Sequence, residues 1–167
     1  RLGSEGLADG DVIAAAGLQI QVLATPGHTS DSLCFQVTAG DGSSAVLTGD
    51  TVLGRGSTVI AHPDGTLADY LASLRRLAEL PPEVSVLPGH GPDLPAAGPA
   101  VTTYLAHREQ RLEQVRTARA RFRAQYPDRE PPLREIVRIV YADVDPALWP
   151  AADASMAAQL EYLRAHG

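Results

Sequence analysis

Apolar and polar residues alternate along Gly17-Leu18-Gln19-Ile20-Gln21-Val22-Leu23, which predicts a half-buried strand stopped by Thr25-Pro26-Gly27. A second strand is expected over Leu33 to Thr38. The turn chemistry of Ala39-Gly40-Asp41-Gly42-Ser43-Ser44 joins it to Ala45-Val46-Leu47 as a hairpin. Leu67, Tyr70, Leu71, Leu74, Leu77 and Ala78 recur at helical spacing, so Leu67 to Leu80 reads as a helix with one apolar face, ended by Pro81-Pro82. Val84-Ser85-Val86-Leu87 is a short strand closed by Pro88-Gly89. Strand, hairpin, helix and strand in this order fit an α/β (α+β) layered unit.

Beyond a loop expected over 91–100 the pattern turns helical. One helix is predicted over Thr102 to Tyr126, with Leu105, Leu112, Val115, Ala118, Phe122 and Tyr126 as its apolar positions. A second covers Leu133 to Tyr141 through Ile136, Val137, Ile139 and Val140, and a third Asp153 to Ala165 through Met156, Leu160 and Leu163. Charge changes at the same place. Residues 1–100 carry four arginines against eleven acids, a net of −7, and residues 101–167 carry ten against nine, a net of +1. Two segments are expected, an α/β unit over 1–100 and a small helical unit over 101–167.

Composition adds limits. The 167 residues suffice for one domain or one domain with an appendage, and 44% hydrophobic with 20% charged residues is ordinary globular composition. No apolar run approaches the roughly 18 residues of a membrane span, and the run from Arg1 to Gly6 has no signal-peptide core. One cysteine, Cys34, excludes an intrachain disulfide framework and reads as a buried thiol on a strand. A soluble, cytoplasmic protein without membrane contact is expected. All fourteen basic residues are arginine, a compositional bias of a GC-rich source. The first residue is not Met, so a processed chain or a piece of a longer one is expected.

Candidate chemistry lies at the strand ends. His28 follows Pro26-Gly27, His90 follows Pro88-Gly89 and Asp50 follows Thr48-Gly49, each just after a strand. Glycine there permits a sharp turn and a close approach. Imidazole and carboxylate suit zinc, iron or manganese, and the two oxygens of one aspartate can serve two ions. Each residue alone also reads as an ordinary loop residue, and the spacing leaves both readings open. Thr29 and Asp31 either orient His28 or cap its turn. His62 is expected exposed in a turn, His107 in a structural hydrogen bond, and His166 without a role. The arginines between Arg108 and Arg123 read as a solvated helix face or as phosphate contacts.

The runs Thr25-Pro26-Gly27-His28-Thr29-Ser30-Asp31-Ser32, Leu47-Thr48-Gly49-Asp50 and Leu87-Pro88-Gly89-His90-Gly91-Pro92 resemble the later motifs of the metallo-β-lactamase superfamily, in order and separation. Asp50 to Thr58 and Tyr104-Leu105-Ala106-His107-Arg108 resemble the branch in which the metal domain precedes a winged-helix-like domain, a branch that includes a mitochondrial single-strand endoribonuclease. The resemblance implies the C-terminal part of an αββα sandwich followed by a helical winged-helix-like domain. It implies two divalent ions, zinc first and iron or manganese as alternatives, with His28 on one, His90 on the other and Asp50 bridging both as the catalytic carboxylate. The implied reaction is attack of a bridging hydroxide on an ester, thioester or phosphodiester.

The family's upstream His-x-His-x-Asp-His has no counterpart, since no histidine precedes His28. The chain is therefore expected to hold half a site, to bind metal weakly by itself, and to need a partner segment or a second copy to cover its sheet. The hairpin that normally ends a winged helix is likewise expected beyond Ala165-His166-Gly167. Expected partners are a small ester or thioester, or single-stranded RNA, with no residues assigned to substrate binding. The competing expectation is a non-catalytic fragment or interaction module.

Overall fold

The computed structural model describes residues 6–142 and 144–166; Arg1 to Glu5, within the run read as having no signal-peptide core, lie outside the described residues, as does Gly167. Five strands form one mixed sheet: β1 (Val12–Ala15), β2 (Leu18–Ala24), β3 (Leu33–Ala39), β4 (Ser44–Gly49) and β5 (Ser85–Pro88), ordered as numbered. Neighbours are antiparallel except β4 and β5, which are parallel. Two direction reversals align β2 with β4, and β5 follows β4. The carboxyl ends of β2, β4 and β5 therefore share one edge of the sheet, the edge that carries His28, Asp50 and His90.

The pattern did not announce β1. Ala16 and Gly17 both have positive φ, 51° and 78°, and form a two-residue hairpin turn that removes Gly17 from the predicted strand. The alternation of β2 is real, but its apolar side faces away from the helices. Register places Ile13, Ile20, Val37 and Ala45 in one row, and Val22, Phe35, Leu47 and Leu87 in the next, on the same face. Ile13, Leu47 and Leu87 are 37%, 40% and 37% exposed. The opposite face, through Leu23, Cys34, Val46 and Val86, joins the main hydrophobic core.

Helix α1 (Leu67–Ala78) buries Leu67, Tyr70, Leu71, Leu74 and Leu77 on that core. Thr66 caps it, accepting the Asp69 N–H at 3.1 Å and donating to the Asp69 carboxylate at 2.7 Å. Helix α2 (Ala97–Gln125) starts inside the expected loop of 91–100. Pro99 fits its first turn, where N–H groups lack intrahelical partners in any case. Its buried stripe is Val101, Tyr104, Arg108, Leu112, Val115, Ala118 and Phe122, while Tyr126 is 38% exposed. Helix α3 (Leu133–Val140) buries Ile136, Val137 and Val140 but leaves Ile139 52% exposed. A short 3-10 turn (Pro146–Leu148) leads into α4 (Trp149–His166), which begins four residues earlier than the apolar spacing suggested.

The helical segment meets the α/β unit at defined points. Ser155 lies 3.4 Å from the Ile60 N–H, and His62 Nε2 meets Glu161 at 2.8 Å. His62 is thus not the free turn residue expected; its ring is half-buried against α4. No helix among the described residues is long and apolar enough to cross a membrane.

Candidate metal centre

His28 is placed by four contacts of its loop. Gly27 turns the chain against α1 with φ of +143°, and Ser73 Oγ donates to the Pro26 carbonyl at 2.7 Å. The Ala61 N–H donates to the His28 carbonyl at 2.9 Å, and His28 Nδ1 lies 2.7 Å from the Val59 carbonyl. A carbonyl only accepts, so Nδ1 carries a proton, and the tautomer compatible with this bond keeps its lone pair on Nε2. Thr29 and Asp31 leave the ring alone. Thr29 Oγ1 donates to Asp31 at 2.8 Å and meets Ser32 Oγ at 2.7 Å, which closes the 29–32 turn.

Asp50 ends β4. Its loop is tied down by Tyr70, whose buried hydroxyl donates to the Thr51 carbonyl at 2.7 Å, and by Thr48, whose hydroxyl donates to the Val52 carbonyl at 2.7 Å. His90 ends β5, with its carbonyl accepting the Gly54 N–H at 2.9 Å. Gly89 beside it permits the close approach, since a Cβ there would stand 3.1 Å from Asp50 Oδ1 and from the Gly49 carbonyl. Tyr70→Phe would remove the 2.7 Å bond to the Thr51 carbonyl and leave it only the longer 3.3 Å bond from Thr58 Oγ1. We expect a loss of about 0.5–1.5 kcal/mol, read from the urea midpoint at unchanged slope.

The three side chains converge. Asp50 Oδ2 stands 3.6 Å from His28 Nε2, and Asp50 Oδ1 stands 3.6 Å from His90 Nε2. This is too long for hydrogen bonds. With metal–ligand bonds of about 2.0–2.2 Å, two donors on one ion stand roughly 3.0–3.6 Å apart, so each pair has the span of one ion. The donor set and its spacing fit two ions sharing one carboxylate. Each ion would receive only two donors from this chain, and among the described residues there is no group of three His, Cys, Asp or Glu side chains that could hold one. The His90 ring is 77% exposed, so the centre opens to solvent.

Cys34 lies behind the sheet edge, fully buried, accepting from Thr25 Oγ1 at 3.1 Å. Burial pushes its thiol above the usual range, as suits an inert core residue. His107 makes no side-chain hydrogen bond among the described residues, contrary to the expected structural bond. Burial holds it below the usual imidazole range, helped by Arg108 and Arg111. The arginines of α2 are not one solvated face. Arg108 is 3% exposed and donates to the Thr58 carbonyl, Arg111 donates to the Val140 carbonyl, and Arg119 and Arg123 meet Glu130. Sequence reasoning missed Val59, Tyr70 and Arg108. A backbone carbonyl leaves no side-chain signal, but Arg108 falls on the buried stripe between Tyr104 and Leu112.

Comparison with known proteins agrees with this architecture. The Metallo-beta-lactamase superfamily pattern matches residues 5–90, and that of the Beta-lactamase associated winged helix domain matches residues 133–167. The chain belongs to the metallo-beta-lactamase superfamily, with the associated winged-helix domain at its carboxyl side. It is similar to the Beta-lactamase-like protein 2 homolog of Drosophila melanogaster, 29% identical over 161 residues, 96% of this chain and 51% of that protein. It is 32% identical over 111 residues to the Atrochrysone carboxyl ACP thioesterase of Aspergillus fumigatus, 66% of this chain and 33% of that protein. A beta-lactamase domain protein from Burkholderia ambifaria superposes over 100% of this chain and 49% of its own, at TM-score 0.81 and 26% identity. The chain thus spans about half the length, or less, of the relatives it matches.

Proposed function

We propose that the chain supplies half the ligands of a dinuclear divalent-metal centre in a hydrolase that cleaves an ester or thioester. The observation that carries this is the Asp50 carboxylate, each oxygen of which faces a different imidazole at 3.6 Å. His28 and Oδ2 would hold one ion, and His90 and Oδ1 the other. Nitrogen and oxygen donors suit zinc first, with iron and manganese as alternatives. When bound, such ions supply a water ionised near neutral pH and polarise the acyl oxygen. The chain's own part is positional. The Val59 carbonyl fixes the His28 ring and its tautomer, Tyr70 anchors the loop after Asp50, and the open His90 side admits substrate.

Two donors per ion fall short of the three protein ligands of a catalytic zinc. The remaining ligands are proposed to come from a segment outside this sequence, which would also cover the apolar rows through Ile13, Leu47 and Leu87. A thioester is favoured over RNA by the similarity to a protein named a thioesterase, by the net charge of −7 over residues 1–100, and by the internal partners of Arg108, Arg111, Arg119 and Arg123.

The test is to express the reading frame with its upstream sequence, load it with zinc, and assay an acyl-thioester panel beside a short single-stranded RNA. Thioester turnover with intact RNA is expected. RNA cleavage with inert thioesters would overturn the substrate assignment, and inertness towards both with two ions bound would overturn the hydrolase. The 167-residue chain alone is expected to bind zinc weakly; tight binding of two ions by it would refute the divided ligand set.

A further inference from the structure

On the far side of the loop that holds His28, a cavity of about 330 Å³ opens between residues 56–59, α2 and the start of α4. Its ionisable lining is His107, Arg108 and Arg111 with Tyr141, and no aspartate or glutamate lines it among the described residues. Ser57 and Ser155 add hydroxyls, while Val144, Leu148 and Ala151 make one end apolar.

Arg108 is the unusual member. It is 97% removed from solvent, at 3% exposure. One terminal nitrogen donates to the Thr58 carbonyl, the guanidinium lies 4.8 Å from the Tyr70 ring centroid, and Nε has no partner among the described residues. The ion pairs of α2 go to Arg116, Arg119 and Arg123 instead. No carboxylate among the described residues pairs with it, and a buried guanidinium is expensive when its hydration is replaced by one carbonyl and a ring face. Arg111 is placed similarly, 4.7 Å from the Tyr141 ring centroid and bonded to the Val140 carbonyl. The fold thus gathers two guanidiniums at one cavity, and no carboxylate among the described residues lines it.

We infer that this cavity binds a small organic anion, a carboxylate or phosphate monoester on a short apolar tail, with Arg108 and Arg111 facing the charge and the Val144–Leu148 end taking the tail. Its volume suits a fragment-sized ligand, at the lower end of the roughly 300–1,000 Å³ of small-molecule sites. Such a ligand would back the Ser57–Val59 loop, whose Val59 carbonyl receives the His28 N–H. The inference does not rest on the metal reading.

Trp149, the chain's one tryptophan, lies in sequence between the lining residues Leu148 and Ala151 and is a built-in reporter. The full chain, kept metal-free with a chelator, is titrated at fixed ionic strength with hexanoate, hexyl phosphate and hexanol while Trp149 emission is followed. Saturation by at least one of the two anions, and not by hexanol, is expected; which one saturates identifies the head group. Arg111→Gln, and separately His107→Gln, at unchanged melting temperature, bring in one variant that removes a direct charge and one that does not. Arg111→Gln should weaken binding about tenfold or more, the value of one charge-assisted contact, and His107→Gln by less. Absence of saturation by both anions, equal binding of hexanol, or wild-type affinity in Arg111→Gln would overturn the inference. Because no metal is present, these outcomes are separate from success or failure of the hydrolase assay.

Discussion

Asp50→Asn, made in the protein that includes the upstream segment, is expected to lower turnover by about three orders of magnitude or more, the several kcal/mol that metal-borne charge stabilisation contributes. The substitution keeps size and shape. It replaces one carboxylate oxygen by an NH2 group, which has no lone pair to offer an ion, and it removes the negative charge that both ions would share. One of the two 3.6 Å pairs would lose its oxygen donor whichever way the amide turned. The fold should not suffer. The Asp50 carboxylate is 39% exposed and has no hydrogen bond among the described residues, so metal-free stability should stay within about 0.5 kcal/mol. The readouts are turnover, zinc content and the rise in melting temperature on adding zinc, which reports binding to the native state alone. Wild-type turnover together with a wild-type zinc-induced shift would make Asp50 a turn residue and nothing more.

Gly27→Ala should destabilise the chain by roughly 3–5 kcal/mol, combining backbone strain with overpacking. At φ of +143° an L side chain is strained, and the new Cβ would stand 2.4 Å from Tyr70 Cα and 2.6 Å from Tyr70 N. Those are helix backbone atoms, and α1 cannot retreat without breaking the Tyr70 bond to the loop after Asp50. Gly42→Ala is the control. Gly42 has φ of +86° but nothing within 4 Å of a built Cβ, so it bears only the left-handed penalty of about 1–2 kcal/mol. Urea unfolding of both variants separates the terms. Equal losses would show that the approach of the His28 loop to α1 is not a stability determinant.

Much of the local structure was legible. The hairpin of β3 and β4 followed from its turn residues, α1 from its period and its terminating prolines, and the buried Cys34 from its strand. Errors fell where local signals conflict with packing. Ala97 and Pro99 looked like loop, yet the first turn of α2 tolerates proline and buries Ala97 and Val101. Val12 to Ala15 lacks alternation, and an Ala-Gly turn is a weak hairpin signal, so β1 was hidden. Arg108 was grouped with surface arginines because its type outweighed its place on the buried stripe.

The sequence by itself determined that Gly-His or Gly-Asp pairs follow three strands, that the helical part begins near residue 100, and that the upstream histidine motif is not among these residues. It also carried the superfamily resemblance. The tertiary structure alone decided that His28, Asp50 and His90 meet, because the meeting depends on β2, β4 and β5 running the same way and ending at one edge. It decided which side of β2 faces the helices, since period two fixes alternation but not the direction of the apolar face. It decided too that His28 is aimed by a carbonyl thirty-one residues away and that Arg108 is buried. Strand direction, facing and long-range backbone contacts are set by packing energy summed over the whole chain, and no local window of residues contains them.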